Sequence, residues 1–251
     1  MTSESWDSYP AQVDGSPASI LVAMHFEHGP RPTGAETLYV VGVKMGDPGD
    51  HRMGTREEAE SFAPFEDAVT KTLGEPYVAV GRMRSSGTWQ LSYYGPKDAD
   101  GTFLDALREH APSIEREIWT HIDHDPEWNY FTDFLLPDAE RRQWMASSAL
   151  CDRLVELEDR AELPRPVDHG LHFPTADARL AFQKEAESAG FQSPKELQPA
   201  RDDGSFFVEV TREDPVELQH IHGVVLELIG HAEPLGGTYD GWATHLMKEP
   251  Q

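Results

Sequence analysis

Apolar positions in the first half of the chain fall into short β-rich runs separated by turn residues. ASILVAMHFE (18–27) and TLYVVGVKM (37–45) read as strands on either side of HGPRPTG. TREEAESFAPFEDAVTKTLG (55–74) changes period: Phe62, Phe65, Val69 and Leu73 recur at helical spacing behind a Thr55/Glu58 capping box. Pro64 is expected to break or kink that helix, serving as the first residue of a second one. PYVAVGRMR and WQLSYYG predict a hairpin around Ser85-Ser86-Gly87, followed by a short helix near 101–110. SIEREIWTHI then places Ile114, Ile118 and Ile122 on one strand face, and DPEWNYFTDFLLP begins at an Asp-Pro helix start and closes on Pro137.

The second half has a more regular order. A helix over about 140–160 carries the stripe Ser147, Leu150, Leu154 and Leu157, and Pro164-Arg165-Pro166 ends the connection. VDHGLHF (167–173) reads as a strand. TADARLAFQKEAESAG reads as a helix with Ala178, Ala181, Phe182, Ala186 and Ala189 inward and Gly190 as its C-terminal cap. A poorly patterned strand near 191–200 leads through Asp202-Asp203-Gly204 to SFFVEVTR. The following helix is predicted from Asp214 as N-cap, Pro215 as its first residue and Glu217 completing a box, with Leu218, Ile221, Val225 and Leu228 inward. GTYDGWATHLM closes the order as a strand. The sequence β-α-β-β-α-β is that of a ferredoxin-like sandwich. The expected class is therefore α+β, with an antiparallel α+β domain over 1–137 and a ferredoxin-like domain preceded by a helix over 138–251.

Charge adds a constraint that the pattern lacks. Of 251 residues, 45 are acidic and 21 basic, for a formal net charge of −24. The excess is spread along the chain, with 23 acidic and 10 basic residues in 1–137 and 22 and 11 in 138–251. Such a surface repels phosphate backbones, so no direct nucleic-acid binding is expected, and it suits a protein partner with a basic surface. No apolar run approaches the roughly 20 residues that span a bilayer. MTSESWDSYP has no basic residue ahead of an apolar segment, so neither membrane nor secretion is expected and a cytoplasmic location is. The single cysteine, Cys151, excludes an internal disulfide and a cysteine-based zinc site.

Candidate chemistry is thin. His121, Asp123 and Asp125 share one side of an extended HIDHD with His124 opposite. Asp168-His169 with His172, and His220 with His222, form two more clusters. None has the spacing that sets two imidazoles on one helical face, and residues two apart on a helix diverge, so no metal and no cofactor is expected. No nucleophile elbow or phosphate loop follows a strand. Cys151 beside Asp152 reads as packing, and acid pairs such as Glu57-Glu58 read as solvated. No catalytic residue is assigned. Tyr93, Tyr94, Trp119 and Trp128 read as core more readily than as interface anchors.

The second half resembles the regulator of ribonuclease E activity B family. The resemblance rests on CDRLVELEDR, VDHGLHF, TADARLAFQKEAESAGF and TYDGWATHLMKEP, which opens on a Tyr-Asp-Gly-Trp signature. It implies a ferredoxin-like fold and an acidic, non-catalytic protein that binds an endoribonuclease and redirects RNA decay. Asp168, His169, Tyr239, Asp240, Gly241 and Trp242 match the signature and form the candidate partner surface. The first half is similar to a bacterial family of unknown function, through Trp6, FEDAV, the WQLSYYG strand and DPEWNYF. Two other readings stay open: an immunity-type protein neutralising a basic toxin, and an enzyme or metal-binding protein using the histidine clusters. Within the closing strand, alternation predicts Tyr239 and Gly241 on one side and Asp240 and Trp242 on the other. Gly241 there suggests a bulge or a close approach by another group. Trp242 is expected to be structural first, with Asp240 open for contact.

Overall fold

The computed structural model describes residues 4–97, 99–194 and 199–248, and the chain divides into two compact units between Arg141 and Arg142. The first unit is built on β1 (Trp6–Val13), β2 (Ser16–Ala23), β3 (Thr37–Lys44), β4 (Val78–Ser85), β5 (Thr88–Gly95) and β6 (Ile118–His124). They pair antiparallel in the order β1-β2-β4-β5-β3-β6. A single helical turn, α1 (His25–His28), stands where the second half of the 18–27 strand was expected. β1 has no counterpart in the apolar pattern. It is an edge strand in which only Tyr9 is buried, and Pro10 is tolerated there because an edge N–H has no obligatory partner. The signal that identifies it is Asp14-Gly15, whose φ values of 50° and 73° make the tight hairpin turn to β2. Ser86-Gly87, at 51° and 77°, performs the same service between β4 and β5.

α2 (Arg56–Leu73) and α3 (Asp100–His110) cover one face of β3, β5 and β6. Phe62, Phe65, Val69 and Leu73 pack on Tyr39, Val41, Val43, Leu91 and Tyr93, joined by Phe103, Ala106 and Leu107 of α3. Against expectation, α2 runs unbroken through Pro64. An interior proline costs about 3 kcal/mol, and four buried side chains on both sides of it, each worth about 1.5–3 kcal/mol, outweigh that. The capping box is half made. Thr55 Oγ1 accepts from the Glu58 N–H at 3.1 Å, but the Glu58 carboxylate turns inward. It accepts Trp89 Nε1–H at 2.9 Å, the Asp47 N–H at 3.0 Å and both Arg116 amino groups at 2.6 and 3.2 Å. Glu58 is therefore a buried carboxylate that joins α2 to β5 and the segment before β6, not a solvated acid.

On the other face, Trp128 stacks on Tyr94 with ring centroids 4.1 Å apart and donates Nε1–H to Ala35 O at 2.7 Å. Asp125 belongs to this core. β6 ends at His124, and the next carboxylate turns in to accept from Tyr94 and from the Asn129 and Tyr130 N–H groups, capping a π-type turn over Tyr130–Leu135. Burial alone would raise its pKa, but these bonds hold it below the usual carboxylate value. The core reading of Tyr93, Tyr94 and Trp128 stands. Trp119 differs: its indole is 42% exposed and lies over Gly42, leaving no room there for a Cβ.

The second unit takes residues from 142 of α4 (Ala139–Glu156), then β7 (Arg165–Phe173), α5 (Ala176–Ser188), β8 (Phe206–Asp214), α6 (Leu218–Ala232) and β9 (Thr238–Thr244). β7 is central in the antiparallel order β8-β7-β9. Of the stretch 191–200, residues 195–198 lie outside the described residues. Among the rest only Gln192 pairs, bridging Thr211 on the free edge of β8. Pro194 and Pro199 lack the donors that a longer ladder needs there. The class is α+β, as expected. Leu154, Phe182, Ala186, Ile221, Val224 and Leu228 from the three helices pack on Val167, Leu171, Phe173, Val208 and Val210, the inward row of the sheet.

α6 begins later than predicted. Asp214 is the last residue of β8 and its carboxylate is taken by Arg212 and His220, each at 2.8 Å, so it cannot cap. The Val216 N–H instead reaches Ala161 O and Glu217 stands at the helix start without a side-chain cap. Beneath β7, fully buried Arg165 and Asp159 pair at 2.7 Å. Asp159 also accepts the Met247 N–H, and Arg165 donates to His245 O, so this ion pair fastens the segment after β9. No helix of the described residues is long and apolar enough to cross a membrane.

Replacing Glu58 by Ala removes the only carboxylate paired with half-buried Arg116, leaving it the Ser61 hydroxyl, and removes the acceptor of Trp89 Nε1. Urea unfolding followed by tryptophan fluorescence should show a loss of about 3–5 kcal/mol, against less than about 0.5 kcal/mol for exposed Glu57→Ala.

Candidate functional site

The signature residues meet on two adjacent strands. β7 alternates, with Arg165, Val167, His169, Leu171 and Phe173 inward and Asp168, Gly170 and His172 outward. β9 pairs with it as Trp242 opposite His169 and Gly241 opposite Gly170, but Tyr239 stands opposite Leu171. Asp240 is the extra residue of a bulge, and Gly241 takes φ 144°. The strict alternation expected for this strand therefore fails. Tyr239 and Trp242 both pack on the helix-side core, and Asp240 projects outward. The bulge proposed for Gly241 is present. A Cβ added at Gly241 would meet nothing within 4 Å, so the backbone conformation, not crowding, calls for glycine.

Inside, His169 is fully buried. Its Nδ1 shares a hydrogen bond of 2.8 Å with the Tyr239 hydroxyl, and its Nε2 has no partner among the described residues. Burial is the main force on its pKa, which falls to about 4, with Arg212 adding to the drop and Asp214 and Asp168 opposing it. The imidazole is neutral at physiological pH. Trp242 donates Nε1–H to Ser147 Oγ of α4 at 3.3 Å, so the tryptophan ties the last strand to a helix, as a structural residue would.

Outside, Asp168 accepts the Thr211 hydroxyl at 2.5 Å. His172 reaches Asp240 at 3.4 Å and Ser205 at 3.2 Å, and lies against Phe207, over which the Arg201 guanidinium sits at 4.2 Å. Gly170 and Gly241 are directly paired; the Phe207 ring lies over Gly170, where a Cβ would meet it at 3.0 Å, while Gly241 stands open, and Asp240 and Glu209, the cross-strand partner of Gly170, flank them. Among the described residues this unit sets no helix on that face.

The histidine clusters do not converge. His169 and His172 face opposite sides of β7, His220 pairs with Asp214, and His222 packs edge-on to Trp144. His121, Asp123 and His124 lie exposed on β6 while Asp125 is buried. Among the described residues no three His, Cys, Asp or Glu side chains come together as a metal site. The Cys151 thiol donates to Val216 O, and burial, with Asp152 adding to it, pushes its pKa up to about 11, far from an activated thiolate. Glu58, Arg165 and the Arg212–Asp214 pair are the polar residues that pattern reading missed. The partner of Glu58, Arg116, lies 58 residues away, which leaves no local signal, whereas Arg165 and Asp214 have partners 6 and 2 residues away, a spacing that could have pointed to them.

The architecture defines a two-unit α+β protein whose signature strands present a packed inner side and a polar outer face. Residues 4–136 match DUF695, a family of unknown function, and the chain belongs to that family. Residues 144–244 match the family described as regulator of ribonuclease activity B, which supports, in general terms, a regulator of ribonuclease activity. Both resemblances read from the residues are thus found. No curated protein matches the chain. A solved structure described provisionally as a glycine cleavage system transcriptional repressor shares 8% identity over 83% of this chain and 98% of its own, with a TM-score of 0.24. An unknown protein from Galdieria sulphuraria shares 12% over 82% and 96%, at 0.21. Likenesses at that level carry no argument.

The neutral, buried His169 makes stability depend on pH in a defined direction. An unfolded histidine takes up a proton near pH 6.5, whereas the folded one does so only near 4. Its contribution is complete above about pH 6.5 and is lost as pH falls towards 4, by about 3 kcal/mol. Asp159 and Asp214, whose pKa values are lowered, lose theirs only below about pH 4. Urea midpoints measured between pH 7 and about 4.5 should fall steeply for the parent and much less for His169→Gln; equal slopes would contradict the assignment.

Proposed function

We propose that the chain is a non-catalytic cytoplasmic regulator that binds a ribonuclease of the RNase E type through the outer face of β7, β8 and β9. The observation that carries this reading is the glycine-paired strip flanked by outward Asp168, Glu209 and Asp240. The Phe207 ring over Gly170 with an acidic rim around it accepts a long basic side chain, whose donors find carboxylates and whose stem lies on the ring. The match to the regulator family supports a ribonuclease as the partner. The net charge of −24 supports a basic surface on it, because opposite potentials accelerate encounter and disfavour wrong partners. The same charge opposes direct contact with RNA. In this reading Tyr239, Trp242 and His169 shape the face from behind, Gly241 carries the bulge within it, and Asp168 and Asp240 touch the partner.

Affinity capture with the tagged chain from its native host at low salt should recover a ribonuclease. Recovery of no ribonuclease or other nucleic-acid-handling protein would count heavily against the proposal. Asp240→Lys should abolish capture with the melting temperature unchanged, since that carboxylate is 59% exposed. Trp242→Ala should lower the melting temperature, and a fully stable Trp242→Ala chain that lost its partner would reverse the roles given to these two residues.

A further inference from the structure

The helix-covered face of the N-terminal sheet is only partly covered. Register extends its rows outward: Leu91 stands opposite Arg82, Arg82 opposite Leu21 and Leu21 opposite Ser8, while Trp89 stands opposite Arg84 and Arg84 opposite Ser19. Directly opposed residues share a face, and Leu91 and Trp89 belong to the core under α2. The outer members of both rows therefore point to the helix side of the sheet. There they line a cavity of about 180 Å³, with Ala59 of α2 on one wall and the edge of Trp89 at its base.

Its donors are unevenly used. Arg82 is committed, paired with Glu66 at 2.6 Å and set over the Trp89 ring at 5.7 Å. Arg84 is half-buried, yet its guanidinium makes no ion pair or hydrogen bond with any described residue, and the hydroxyls of Ser8 and Ser19 make none either. In a chain with 45 acids to 21 basic residues this is unusual. Arg116, Arg165 and Arg212, similarly withdrawn from solvent, each hold a carboxylate. A guanidinium at a cavity wall that no carboxylate occupies is free to hold an anion that enters.

We propose that this cavity is a binding site for a small monocarboxylate, held by Arg84 with Ser8 and Ser19. Charge selects one negative unit, because Glu66 already neutralises Arg82 and repels a second. A guanidinium fork matches a planar carboxylate with two parallel hydrogen bonds, and the two hydroxyls supply further donors from the neighbouring strands. Leu21, Ala59 and Trp89 offer an apolar wall for a short hydrocarbon stem. The volume lies below the roughly 300–1,000 Å³ of sites for larger ligands, which excludes a nucleotide-sized cofactor. All lining residues belong to the N-terminal unit, so the proposal stands or falls apart from the ribonuclease reading.

Titration of the whole chain with sodium propionate, at ionic strength held constant with chloride and followed by proton–nitrogen correlation spectra, tests it. Saturable shifts should appear at the Arg84 Nε–H and the amides of Ser8 and Ser19. Affinity should drop about ten-fold or more in Arg84→Gln, and stay unchanged in Arg52→Gln, whose guanidinium serves Ser86 O outside the cavity. Inorganic phosphate, largely dianionic at pH 7.5, should bind about ten-fold more weakly than propionate. If Arg84→Gln fails to fold, Ser19→Ala should weaken propionate several-fold. The proposal is overturned by the absence of saturable binding, by unchanged affinity in the pocket variant that folds, or by phosphate binding as tightly as propionate.

Discussion

One extra residue in β9 organises the candidate site. In an unbulged strand Tyr239 and Trp242, three positions apart, would face opposite sides. The bulge at Asp240 turns both onto the helices, where Tyr239 meets His169 and Trp242 meets Ser147. The same irregularity pushes the Asp240 carboxylate outward beside His172 and brings Gly241 against Gly170. Inward packing and outward exposure are thus divided within four consecutive residues. Glycine at φ 144° is the condition for that division.

Around this strand, stability rests on carboxylates that have been drawn inside and matched. Glu58 with Arg116 and Trp89, and Asp125 with Tyr94, join elements distant in sequence, while Asp159 with Arg165 and Asp214 with Arg212 and His220 fasten neighbouring segments. Removing one partner of such a pair leaves an uncompensated charge, which makes each of them a point of specificity as much as of energy. The remaining acids stay at the surface and give the protein its field. Of these, Asp168, Glu209 and Asp240 stand on the outer face of β7, β8 and β9.

Much of this was legible along the chain because periodicity reports burial. The stripe Phe62, Phe65, Val69 and Leu73 packs where its spacing implies, as do Ile118 and Ile122, while Ile114, expected on the same strand face, follows a short turn before β6 begins. The Tyr-Asp-Gly-Trp run marked both strand and bulge. β1 was not legible, since an edge strand with one buried residue has no alternation to read. Pro64 disfavours a helix locally, and the core that holds both halves of α2 together overrides that propensity. Asp214 has the residues of a cap but stands next to Arg212, and the ion pair takes the carboxylate first. Strict alternation puts Asp240 on the side of Trp242, and the bulge at Asp240 reverses that, so Tyr239 and Trp242 share the inner side.

The division within β9 is tested most directly by the unfolding free energy of Gly241→Ala. The added methyl meets no atom within 4 Å, so any cost comes from the backbone conformation. The account predicts a loss of about 1–3 kcal/mol, accompanied by weaker protection of the β9 amides from hydrogen exchange. A variant as stable as the parent, with β9 equally protected, would show that the bulge does not depend on glycine and would contradict the account.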